Sequence, residues 1–264
     1  MKRAVTSLAI VALVAQVMGC AGLDVLKRPE VRAVRPRVTG IDLQGVALTF
    51  DVDVSNPYPI PIRAPEFRYG LDIEGTSFLT SQEHAKVDLP ALTTGTVSLP
   101  IRLTYGDMWR TFRNTADAPE VGYTLHGAIL GSALGQSFEL PMKHTGTFPV
   151  LRAPTFSDVN IQLSDVSLQS AKIVADVAMK NPNVFALGLE NLGYVLNIGD
   201  EQVGDLTAST VEKVGAGETG RLRLTGAVSA SDALSRIVRS GIGAAKLGLS
   251  GSVETPYGPA QVGR

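Results

Sequence analysis

Residues 48–62 read LTFDVDVSNPYPIPI, and residues 173–187 read IVADVAMKNPNVFAL. In the first stretch Leu48, Phe50, Val52 and Val54 alternate with Thr49, Asp51, Asp53 and Ser55; in the second, Ile173, Ala175, Val177 and Met179 take the inward places. A period of two puts apolar groups on one face of a strand and solvated groups on the other. Both runs stop at Asn-Pro. Proline has no amide donor and pushes the residue before it out of helical geometry, while an Asn side chain bonds the backbone just ahead of it. Each stretch therefore predicts a strand running into a corner. Asn56 and Asn181 are read as shaping that corner, with no catalytic role.

The two stretches are one pattern met twice, 125 residues apart. The same offset carries Asn56-Pro57 to Asn181-Pro182, Asp51 to Asp176, Tyr69 to Tyr194, Leu71 to Leu196 and Ile73 to Ile198. Further on it carries Thr94-Gly95 to Thr219-Gly220, Leu99 to Leu224 and Asp107 to Asp232. A register held this far without a gap means two copies of one domain. The copies are placed at residues 35–148 and 156–264, with a boundary near Val150 in the Pro- and Gly-bearing joint HTGTFPVLRAPTF.

Within each copy, Glu74-Gly75 and Gly199-Asp200 are hairpin signals. A strand follows through Val97, Leu99, Ile101 and Leu103, matched by Leu222, Leu224, Gly226 and Val228. One helix per copy is expected, with Asp107 capping Met108, Trp109 and Phe112, and Asp232 capping Leu234, Ile237 and Val238. Trp109 is read as packing between helix and sheet. Seven or so short strands per copy argue for a mainly β chain: two tandem antiparallel β-sandwiches of immunoglobulin or fibronectin III type, each with one short α-helix.

Lys2 and Arg3 precede an apolar run that closes at Met18-Gly19-Cys20, so residues 1–19 read as a signal peptide, too short to span a bilayer. Cys20 is the only cysteine, which excludes an intramolecular disulfide. Its setting resembles the lipobox of bacterial lipoproteins, although Val17 and Met18 depart from that motif; an ordinary cleaved signal is the alternative. The resemblance implies acylation of Cys20, and Ala21 resembles the sorting pattern of an outer-membrane lipoprotein facing the periplasm. Residues 20–34 then form a lipidated head and a basic linker. Lys27, Arg28, Arg32, Arg35 and Arg37 either rest on anionic headgroups or stiffen a solvated spacer.

Removing Lys2 and Arg3 with the signal leaves 22 basic against 25 acidic residues, a balance that points away from nucleic acid. His84, His126 and His144 are scattered, with no spacing suited to a metal. Asp51 and Asp53 share a strand face and suit a cation, yet the second copy has Asp176 and Ala178 there, so a solvated face is preferred. Gly241-Ile-Gly243-Ala-Ala-Lys246 lacks the third glycine of a phosphate loop and follows a helix. Nothing pairs a nucleophile with a base, so no catalytic residue, cofactor or enzyme activity is expected. Val174 and Ala178, less polar than Thr49 and Asp53, are predicted to pack on another surface.

The strand ending in Asn-Pro, the Tyr-x-Leu-x-Ile strand, the Thr-Gly and the single capped helix, in that order twice, resemble the WHy domain of the folded, atypical type 2 late-embryogenesis-abundant proteins. The resemblance implies an α+β sandwich with one helix, no enzymatic activity, and a link to desiccation and stress tolerance. Tyr58, where the second copy has Asn183, and Pro59-Ile-Pro61 depart from a common pattern. Two functions are expected: a membrane-anchored stress protein, or a module whose interior or helix–sheet groove takes a lipid, an acyl chain, an apolar peptide or an envelope protein.

Overall fold

The computed structural model describes residues 28–63, 65–84, 88–112, 118–133, 135–167, 169–198, 201–208, 213–229, 235 and 245–263. The first half carries β1 (Glu30–Asp42), β2 (Gly45–Asn56), β3 (Glu66–Ile73), β4 (Thr76–His84), β5 (Thr93–Thr104), α1 (Tyr105–Thr111), β6 (Glu120–Ala133) and β7 (Gln136–Pro149). The second carries β8 (Thr155–Ser164), β9 (Ser170–Lys180), β10 (Leu192–Ile198), β11 (Glu201–Ala208), β12 (Thr219–Ser229), β13 (Ala245–Thr255) and β14 (Gly258–Gln261). The chain is mainly β, every named strand pair is antiparallel, and α1 is short.

In the first half, β1-β2-β5 and β4-β3-β6-β7 are separate sheets. The inward residues of both, among them Phe50, Val52, Tyr69, Leu71, Leu99 and Leu125, make one apolar core, as the alternation along β2 dictates. In the second half the same strands recur, but the order β14-β13-β10-β11-β12-β9-β8 is continuous. The seam is the pairing of Thr207 with Thr225 and of Ala208 with Leu224. The Thr225 carbonyl accepts from the Thr207 hydroxyl at 3.3 Å, so the amide of Thr225 also faces β11. At the matching position of the first half stands Pro100. Proline has no such donor, which keeps β5 from joining β4.

The turn between β3 and β4 holds Glu74 and Gly75 at φ of 48° and 78°, the left-handed pair a two-residue hairpin requires. The second core is built from β8 to β14 and gains Ile41 from the end of β1, with Leu43 of the turn that follows packed against it.

Several expectations change. β1 begins at Glu30 and pairs with β2, so residues 30–34, read as basic linker, are strand. The cap of α1 is Thr104, whose hydroxyl accepts from the Asp107 amide; Asp107 stands inside the first turn and its carboxylate takes the Thr104 hydroxyl in return. Only the first of these is a bond to a helix amide, so the arrangement is an N-cap reinforced by a hydroxyl–carboxylate contact. Ala178 is buried and Val174 half-buried. Cys20, Asp232 with its helix, and Gly241 to Ala244 lie outside the described residues.

Candidate functional site

The two Asn-Pro corners share four bonds, and the second adds one from Asn183 Nδ2 to Asn181 Oδ1 at 2.8 Å. Asn56 Nδ2 donates to the carbonyls of Ile60, Leu89 and Pro90 at 3.0, 3.3 and 2.9 Å, and its Oδ1 accepts the Tyr58 amide at 3.0 Å. Asn181 Nδ2 donates to Phe185, Val214 and Gly215 at 2.8, 3.2 and 2.9 Å, and its Oδ1 accepts the Asn183 amide at 3.0 Å. Every partner in one set lies 125 residues from its counterpart in the other. Both residues are at most 1 % exposed, and each buried amide group is satisfied by the backbone around it. Pro57 and Pro182 end β2 and β9 beside them. These residues build the fold; they present nothing reactive to solvent.

Asn183, where the first copy has Tyr58, does something else. Its Oδ1 accepts the Arg152 amide at 2.7 Å and its Nδ2 donates to the Arg152 carbonyl at 3.0 Å, fastening the joint between the copies to the second corner. From the other side Tyr105 Oη accepts the Leu151 amide at 3.2 Å. Burial pushes the Tyr105 phenol up to about 12.

The two tyrosines of the Tyr-x-Leu-x-Ile strands have diverged. Tyr69 Oη donates to Glu83 Oε1 at 2.9 Å. The counterpart of Glu83 is Ala208, and the buried Tyr194 hydroxyl has no hydrogen-bond partner. Burial raises its pKa to about 12.

The outer face of β1-β2-β5 is a ladder of ion pairs. Arg35 grips Asp53, which also accepts the Thr96 hydroxyl at 2.7 Å; Arg37 Nε lies 2.8 Å from Asp51, which accepts the Ser98 hydroxyl at 2.6 Å. The Arg37 and Ser98 hydrogen bonds hold the Asp51 carboxyl below the usual carboxylate value. On the second copy Asp176 keeps the place of Asp51, but its cation comes from the opposite neighbouring strand: Arg223 Nε donates at 2.7 Å from β12. Asp51 and Asp53 are thus occupied by arginines and hydroxyls, and no cation is needed to explain them.

Trp109 stacks on Tyr105 with ring centroids 5.3 Å apart, half-buried between α1 and the core, although its Nε1 has no partner. His126 lies 3.2 Å from Asp72, His144 3.3 Å from the Tyr123 hydroxyl, and His84 3.9 Å from Glu66, in three separate places. Among the described residues no three His, Cys, Asp or Glu side chains gather to hold a metal. No described helix is long and apolar enough to cross a membrane. Sequence reading missed the Thr104 cap and the exchange of Arg partners; Thr104-x-x-Asp107 was a legible signal for the first.

Comparison with known proteins adds one strong match. The solved structures include a protein from Archaeoglobus fulgidus, 11% identical with a TM-score of 0.38, aligned over 46% of this chain and 98% of its own. Another, from Arabidopsis thaliana, is 17% identical with a TM-score of 0.40, aligned over 49% of this chain and 87% of its own. No curated protein matches. A family model described as late embryogenesis abundant protein matches residues 51–146 and 176–258, one segment on each copy and more than half of the chain together. The chain belongs to the late embryogenesis abundant protein family.

Proposed function

We propose that this family member is a non-enzymatic, lipid-anchored protein of a bacterial cell envelope, carrying two WHy-type copies and protecting neighbouring proteins or membrane during desiccation or other stress. The observation that carries the reading is the ion-pair ladder. Asp42, Asp51, Asp53, Asp107 and Asp176 each have an arginine partner within the chain. Such exposed pairs contribute little in bulk water. As water leaves and the effective dielectric falls, attraction within each pair grows, so the surface stays satisfied without its hydration shell.

Drying and rehydrating a labile enzyme beside the full chain tests this. The enzyme retains activity, and replacing Arg35 and Arg37 together with Gln weakens the protection; an enzyme lost as fast as in buffer alone refutes the role. The anchor is tested separately, by labelling with radioactive palmitate that Cys20→Ala abolishes and by fractionation that puts the label in the outer membrane. The alternative of an acyl chain inside the first sandwich meets a filled space: Phe50, Tyr123 and Phe148 pack together there, with ring centroids 5.5 and 6.1 Å apart.

A further inference from the structure

A cleft of roughly 800 Å³ lies over β8, β9 and β12 of the second copy, lined by Asp158, Asn160, Asp176, Arg221 and Arg223 among others. The same face of the first copy shows what has changed. There Arg35 and Thr96 satisfy Asp53, and Arg37 and Ser98 satisfy Asp51. In the second copy Arg221 and Arg223 replace the two hydroxyl residues, Asn160 replaces Arg35, and Ala178 replaces Asp53. Arg223 takes Asp176 in a two-point contact. Arg221 is left opposite Ala178, without the acid its register would give it; among the described residues it forms no ion pair, and its charge reaches Asp176, already taken by Arg223, only as a minor influence that helps lower that carboxyl.

The irregularities of the outer strand differ as well. In the first copy irregularities fall between Val31 and Ala33 and between Val38 and Gly40; in the second one falls between Ser157 and Asn160, with Asp158 at a φ of +50°. A non-glycine residue held in the left-handed region inside a strand is a local cost that a function can explain, and Asp tolerates that region better than most residues. Asp158 is exposed, and its side chain has no ion pair or hydrogen bond among the described residues. An acid and a cation thus line one cleft without engaging each other.

We propose that this cleft binds a small zwitterion, an anionic phosphate or carboxylate seated on Arg221 with help from Asn160, and an ammonium group on Asp158. A planar guanidinium suits the anion, and a guest bearing both charges satisfies both side chains where a simple anion would meet repulsion from Asp158. The proposal does not depend on the anchor or on the protective role. The ligand comes either as a free solute or as a lipid headgroup of the same chemistry.

Titration calorimetry on the full chain in non-ionic detergent tests it, with O-phosphoethanolamine as the zwitterion and inorganic phosphate as the anion. O-phosphoethanolamine binds saturably at one site, about tenfold or more tighter than phosphate, a difference of about 1.4 kcal/mol or more. Arg221→Thr, which installs the residue of the first copy, lowers its affinity about tenfold or more; Asp158→Asn, which keeps the backbone angle accessible, brings it down to the phosphate level. No saturable binding, equal affinity for phosphate, or wild-type affinity in both variants overturns the proposal. Vesicles of phosphatidylethanolamine that compete with O-phosphoethanolamine for the Cys20→Ala chain identify a headgroup; binding of the free compound without such competition identifies a solute.

Discussion

Asn56 and Asn181 carry more of the fold than their size suggests, because each buried amide reaches three backbone carbonyls. Replacing either by Ala orphans that backbone and costs roughly 2 kcal/mol or more in denaturant unfolding. The tyrosines give a paired test. Tyr194→Phe removes a hydroxyl with no partner and raises stability by roughly 1 kcal/mol, whereas Tyr69→Phe loses the bond to Glu83 and lowers it. Asp51 predicts the acid response. Its folded pKa lies below the ordinary value of 3.8, so its stabilisation is complete above that value and fades as pH falls through the folded pKa. Arg37→Gln therefore lowers the neutral plateau by a small, pH-independent amount, as expected for an exposed pair, and flattens the further loss below about pH 4, as acid titration followed by circular dichroism will show. At this scale the sequence was legible where chemistry repeats: the Asn-Pro corners stand out on the page. The missing partner of Tyr194 was not, since the Glu83-to-Ala208 change matters only once those strands are seen to be neighbours.

Among the elements, one position decides whether two sheets or one surround a core. Thr225 gives β12 a donor toward β11, and Pro100 withholds it from β5. Thr225→Pro unzips the seam: amide exchange at Thr207 and Ala208 accelerates, and the second copy loses about 1–3 kcal/mol, while the ladder to β9 on the other side persists. The Phe50 and Val52 strand was legible from its alternation. β4 and β11 were not, because β4 is largely exposed and presents no apolar face to read. Bulges left no trace in the sequence either, since the irregularities at Val31–Ala33, Val38–Gly40 and Ser157–Asn160 are properties of pairing.

Taken whole, the molecule is two copies held by a short joint, and the hold is specific. Asn183 binds both polar groups of the Arg152 backbone, and Ile41 of the first copy is 5 % exposed within the second core. Scanning calorimetry tests the coupling: the parent chain melts in one transition, and Asn183→Ala separates it into two. Added to Asn183→Ala, Ile41→Ala, though it lies in the first copy, lowers the stability read from the second copy's transition by about 2–4 kcal/mol. Tyr58 against Asn183 was visible as a departure between copies, but its meaning needed the joint in place.

That lone isoleucine also sets an order of assembly. The first core draws on residues from Val31 to Val150 and on none of the second half, whereas the second core needs a side chain that the leading half already holds in position. The leading copy matures unaided and then serves as a template on which the trailing copy condenses, so a fault in the leader is inherited downstream and a fault in the follower is not returned.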